Sequence, residues 1–122
     1  MSRMTLEWTE ITKEVLQRDY PDANVIVVGS NEVIAELGDG EAVVVVNTVG
    51  SRRHFHLKTW ETYEVLEGTL AVEVAGIGRV LHEGETLAFV AGAIHKTVGV
   101  GSQATFKVKS EPPWTRADHF EV

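Results

Sequence analysis

Imidazoles at positions 54 and 56 can point the same way only if the backbone between them is extended, because successive side chains of a strand alternate between its faces. Phe55 then turns to the other face. Glu61 follows after a short bend, with Gly68 beyond it, and a second window runs Gly84, Val90, Gly92, His95. Three of the chain's five histidines fall in these two windows, so the signal is a spacing pattern rather than a histidine count. Neutral imidazole together with carboxylate suits iron, manganese, nickel, copper or zinc, and four such ligands leave about two positions of an octahedral ion open. A lone buried histidine is more often a hydrogen-bonded core residue. Four ligand-type residues in two windows that agree independently outweigh that reading, and the sequence predicts one divalent transition metal held by His54, His56, Glu61 and His95.

The rest of the chain reads as short strands joined by tight turns. Asn24 to Val28 and Glu32 to Leu37 flank Gly29-Ser30-Asn31, and Gly38-Asp39-Gly40 marks a hairpin. Ala42 to Val49 is almost continuously apolar, which predicts a strand buried on both faces. Further strands are expected at His54, Tyr63 to Leu66, Thr69 to Ala75, Arg79 to Leu81, Thr86 to Val90, His95 to Val98 and Thr105 to Val108. The exception is Thr9 to Tyr20, where Ile11, Val15 and Leu16 fall at helical spacing until Pro21. Beyond Pro112-Pro113-Trp114 the tail shows no strand or helix pattern. The expected class is all-β, one domain over residues 1–122 with its barrel core at about 24–110 and a short N-terminal helix.

At this point the sequence resembles the cupin superfamily, whose two motifs are written G-x5-H-x-H-x3,4-E-x6-G and G-x5-P-x-G-x2-H-x3-N. His54, His56, Glu61 and Gly68 match the first, and Gly84, Gly92 and His95 match the second. Thr48 stands where the first motif opens with glycine, Gly50 following two residues on. Val90 replaces the proline and Gly99 the terminal asparagine. None of these departures removes a ligand. The resemblance implies a metal-holding jelly-roll barrel, and cupins of this kind are commonly homodimers.

Composition narrows the partners. A net charge of −7 argues against nucleic acid and anionic membranes, both of which demand a basic surface, so a small-molecule ligand is expected. No apolar run approaches the ~20 residues of a bilayer span. Met1 to Tyr20 lacks a basic leader followed by an apolar segment, from which a cytoplasmic protein is expected. With no cysteine there is neither disulfide nor thiolate ligand.

Strand parity suggests what surrounds the metal. If His54 and His56 face inward, so does Arg52, a candidate for binding an anionic group of the substrate, while Arg53 faces out. Inward Glu61 makes Tyr63 and Val65 inward, and inward His95 makes Thr97 inward. Tyr63 is the candidate catalytic group, against the commoner role of a tyrosine packed in the core. His82 and His119, in a turn and in the tail, read as surface residues. Trp8, Trp60 and Trp114 read as covers of apolar surface. The little-charged face of Asn24 to Leu37 could pair with a second copy in a homodimer or lie under the helix.

Three functions fit this inventory. The first is a metal-dependent enzyme that chelates a hydroxyl and carbonyl pair on a sugar or hydroxy acid and uses the metal as Lewis acid for isomerisation or epimerisation. The second is an iron-dependent dioxygenase. The third is a non-catalytic module that binds or senses a small metabolite.

Overall fold

The computed structural model describes residues 7–122, so Met1 to Leu6 of the N-terminal reading lie outside the described residues. A helix, α1 (Trp8–Asp19), precedes eleven strands: β1 (Asn24–Val28), β2 (Glu32–Gly38), β3 (Glu41–Val46), β4 (His54–Phe55), β5 (Trp60–Glu67), β6 (Leu70–Val74), β7 (Ile77–Leu81), β8 (Thr86–Phe89), β9 (His95–Gly99), β10 (Ala104–Glu111) and β11 (Phe120–Glu121). They form two antiparallel sheets, one ordered β1-β2-β3-β10-β5-β8 and the other β11-β4-β9-β6-β7. The expected all-β chain with a short N-terminal helix is what is found.

The valine-rich β3 sits where its composition requires. Val44 and Val46 point between the sheets, into a core with Tyr63, Val65, Leu70, Val72, Phe89 and Phe106. Val43 and Val45 point the other way, where Leu16 of α1 joins Val33 and Ala35. The strand is therefore buried on both faces, because a helix stripe covers one and the opposing sheet the other. The helix lies on the face of β1 and β2 and leaves β1 as the outermost strand of its sheet. Among the described residues no helix is long and apolar enough to cross a membrane.

The tail departs from the sequence reading. Residues after Trp114 form a one-turn 3-10 helix, Arg116–Asp118, and then β11, which pairs antiparallel with β4 (Phe120 opposite Phe55, Glu121 opposite His54). Two residues carry too little periodicity to be read from sequence. The strand exists because β4 has a free edge and Phe55 offers a ring on which Phe120 stacks at 5.3 Å.

Candidate metal centre

Each member of the predicted ligand set is delivered by a different local device. β4 holds His54 opposite His95 of β9, the one registered pair between those strands. His56 follows as β4 ends, and Glu61 is the first inward residue of β5, whose exposure alternates strictly from Trp60 to Val65. Gly92 ties the two sequence windows together. Its φ of +87°, a conformation that favours glycine, aims its amide at the His56 carbonyl, 2.6 Å away.

The four side chains converge. One ligand atom from each of His54, His56, Glu61 and His95 lies within 4.8 Å of all the others, and His56, Glu61 and His95 are buried. Glu61 Oε1 is 3.1 Å from His56 Nε2 and 3.0 Å from His95 Nε2. Every ring nitrogen on the far side contacts a backbone carbonyl: His54 Nδ1 to Arg52 O at 2.8 Å, His56 Nδ1 to Asp118 O at 2.7 Å, His95 Nδ1 to Ala93 O at 2.9 Å. A carbonyl can only accept, so each Nδ1 carries the proton, and in the neutral ring each Nε2 presents its lone pair to the cluster. Despite the short separations, Glu61 Oε1 and His95 Nε2 have no hydrogen-bond partner in proper orientation. Buried polar atoms left in that state are rare, and two of them facing one point with two further imidazoles fit a cation. The cluster can hold a metal ion.

The electrostatics favour the unprotonated form of His54 and Glu61 but not of His56. Burial, then the neighbouring His95, pushes His54 down to about 3, so it is neutral in any physiological range. Burial by itself would raise Glu61, but contacts from His56 and His95 outweigh it and hold the carboxyl well below its ordinary value. Burial lowers His56, and the Glu61 carboxylate reverses the sign, leaving it raised.

The remaining candidates fall in different places. Tyr63 is buried in the core, its ring 5.0 Å from Phe89, 4.8 Å from Phe106 and 6.3 Å from His95. Burial, then the charges of Glu61 and Glu32, keeps its hydroxyl protonated. Val65 and Thr97 are inward and buried as parity predicts. The Arg52 side chain is 84% exposed and reaches Glu121 at 3.3 Å, outside the buried cluster. Arg53, also exposed, makes a two-pronged contact with Glu73 at 2.9 and 3.3 Å. His82 is exposed, as is Trp60.

Three residues were missed. His119, read as a surface residue, is half-buried and stacks on His54 with ring centroids 4.8 Å apart and planes 22° apart. Burial and the nearby His56 lower its ring pKa. Asp118 is buried and accepts from the amides of Leu57 and Lys58 at 2.7 and 2.9 Å. Glu32 opens β2 in phase with Ile34, which packs on the interior core. Burial, then the negative charges of Glu61 and Glu121, pushes its carboxyl up to about 7. Glu32 had a signal in the sequence, an acid in phase with the inward side of an apolar strand. Asp118 and His119 had none, since only the pairing of β11 brings them here.

No protein-family model matches the chain, and no curated protein matches it with significance. Solved structures do. A Streptomyces nucleoside dehydratase superposes with a TM-score of 0.65 over 84% of this chain and 87% of its own, at 12% identity. A sugar phosphate isomerase of the cupin superfamily from Silicibacter pomeroyi gives 0.61 over 74% of this chain and 71% of its own, at 24% identity. A point mutant of Bacillus subtilis oxalate decarboxylase gives 0.69 at 16% identity, over 84% of this chain but 31% of its own. The fold is that of a small cupin domain, and the cluster inside it is a candidate metal site.

Proposed function

We propose that this chain is a metal-dependent enzyme that isomerises or epimerises a small oxygenated substrate, a sugar or hydroxy acid. The observation that carries the reading is the convergence of three Nε2 lone pairs and the Glu61 carboxylate in a buried cluster, with two of those atoms unpartnered. A divalent transition ion held there supplies Lewis-acid polarisation of a carbonyl and hydroxyl pair. The chain's own contribution is proton handling. Glu32, in phase with the interior side of β2 and near enough to Glu61 for their charges to repel, is the candidate that takes a proton and returns it. Tyr63, kept neutral, can donate a hydrogen bond but is a poor base. The solved structures with this fold include a sugar phosphate isomerase and a nucleoside dehydratase, so the scaffold accommodates small oxygenated substrates in other proteins.

The test is elemental analysis of protein purified without a histidine tag. It is followed by a screen of sugars and hydroxy acids in deuterated water for exchange at the carbon beside the carbonyl. Exchange supports the proposal. Iron with substrate-dependent oxygen uptake would replace it by the dioxygenase reading, and tight binding without turnover by the binding module.

Glu32→Gln is expected to keep the metal and lower exchange by about 10²- to 10⁴-fold, the usual worth of a positioned acid or base. It should also change the pH dependence of folding. A carboxyl raised by burial binds its proton more tightly in the folded state. Its stabilisation is therefore fully present below the ordinary value of 4.5 and lost as pH rises through about 7. Urea midpoints across that window should slope less in the variant; an unchanged slope removes Glu32 from this role.

Arg52 is proposed as a rim contact for an anionic group of the substrate, in exchange for Glu121. Because the guanidinium is exposed, Arg52→Ala is expected to weaken such a ligand by about 1 kcal/mol or less. Arg53→Ala is the control, and equal effects on ligand titration would exclude Arg52. The open edge of β1 supports a homodimer, which sedimentation velocity would detect.

A further inference from the structure

Two of the three imidazoles take their ring hydrogen bond from their own stretch of chain and one does not. His54 and His95 each bond the carbonyl two residues upstream, Arg52 and Ala93, so the hydrogen bond of each of these rings is local. His56 has no such local anchor. Its Nδ1 bonds Asp118 O, 62 positions away in the tail. The Asp118 carboxylate meanwhile accepts from Leu57 and Lys58 amides and lies 3.4 Å from Thr59 Oγ1, fixing the turn that carries the chain from His56 to Glu61. The next residue, His119, lies flat on the His54 ring, and Trp114 meets His119 edge-on at 6.0 Å.

The strand beneath these ligands needs that support. β4 is two residues long and pairs with β9 at a single position. On its other edge it is held by β11 and by Val122 N donating to Arg53 O at 3.0 Å. We propose that the C-terminal segment from Trp114 to Val122 is a positioning strap for the metal centre, in which Asp118 sets His56 and the turn to Glu61 while His119 sets the plane of His54. The inference rests on the metal reading above. It adds that two of the four ligands depend on the tail. Partners that fix the far nitrogen of a ligating imidazole are typically worth about 10- to 100-fold in metal affinity.

Cobalt(II) is the probe, titrated into full-length protein well below its unfolding temperature, with circular dichroism of the metal-free form recorded at the same temperature. Asp118→Ala, which leaves the backbone carbonyl on His56 but removes the carboxylate that holds the turn toward Glu61, and His119→Ala, which removes the ring stacked on His54, are each expected to remain folded, to bind cobalt more than twofold more weakly and to alter its visible absorption. His119→Phe, which keeps a flat ring to stack, should recover most of the affinity lost in His119→Ala. Asp118→Asn, which keeps one acceptor, should recover part of the loss in Asp118→Ala and serves as the informative variant if alanine prevents folding. Affinity and spectrum within twofold of wild type in the folded variants would overturn the proposal, as would His119→Phe behaving like His119→Ala. Failure of the wild type itself to bind cobalt would instead overturn the metal reading on which it rests.

Discussion

The His56→Ala/His95→Ala double variant is expected to lose its metal completely while keeping the two-sheet fold. Both imidazoles lie within 3.1 Å of Glu61 Oε1, so their removal takes away half of the ligand set and everything that offsets the burial of that carboxylate. In the wild type the two contacts hold Glu61 below its ordinary value. Its contribution to folding is present above the ordinary glutamate range and lost as pH falls. In the variant, burial acts alone and raises the carboxyl. Stability should then decline as pH rises, the opposite slope. The variant leaves a buried carboxylate with neither imidazole beside it, and adding Glu61→Gln should return part of the lost stability without restoring metal. Metal content by mass spectrometry and urea unfolding at several pH values check both parts. Full metal occupancy in the double variant would sink the ligand assignment. In the wild type, metal affinity should fall as pH drops through about 6, because protons compete for the imidazoles. His56, raised by Glu61, is the ring on which that competition starts.

Gly50→Ala is expected to be the most destabilising glycine-to-alanine change among the described residues. Gly50 has a φ of +82°, and a Cβ there would run into the Thr97 carbonyl and the Val98 side chain, with Val98 Cα at 2.9 Å. The neighbourhood cannot give way easily. Asn47 Oδ1 accepts from the amides of Val49 and Gly50, Ser51 N donates to Thr97 O at 2.8 Å, and Thr97 N donates to Ser51 Oγ at 2.9 Å. Left-handed strain of ~1 to 2 kcal/mol adds to an overpacking cost of ~1 to 3 kcal/mol, which lowers the melting temperature by roughly 10 °C. Because the clash is with β9, two residues beyond His95, cobalt affinity should fall as well. A melting temperature within about 2 °C of wild type would show that this corner is not close-packed.

Gly50 also shows how the sequence carried its information. The resemblance expects glycine at position 48, finds Thr48, and the structure supplies the tight approach two residues later at Gly50.

What the sequence by itself determined follows from periodicity and residue type. Alternation along β5 and β9 put Glu61, Tyr63, Val65, His95 and Thr97 on one side, and the apolar run of β3 demanded cover on both faces. The spacing of His54 and His56 required an extended backbone, which β4 supplies. These are local properties, each set by the two-residue repeat of a strand. Only the tertiary structure decided the surroundings of those ligands. Arg52 follows the parity of His54 in sequence, yet β4 begins only at His54, so the alternation does not govern Arg52 and its side chain turns to Glu121. Glu32 and Glu61 sit on β2 and β5 of one six-stranded sheet, and only the strand order of that sheet brings their charges within reach of each other. Asp118 and His119 arrive through a two-residue strand whose formation depends on the free edge of β4 rather than on any pattern of its own. Contacts between residues about sixty positions apart leave no local trace in the chain, because what selects them is the complementarity of surfaces that exist only once the sheets have packed.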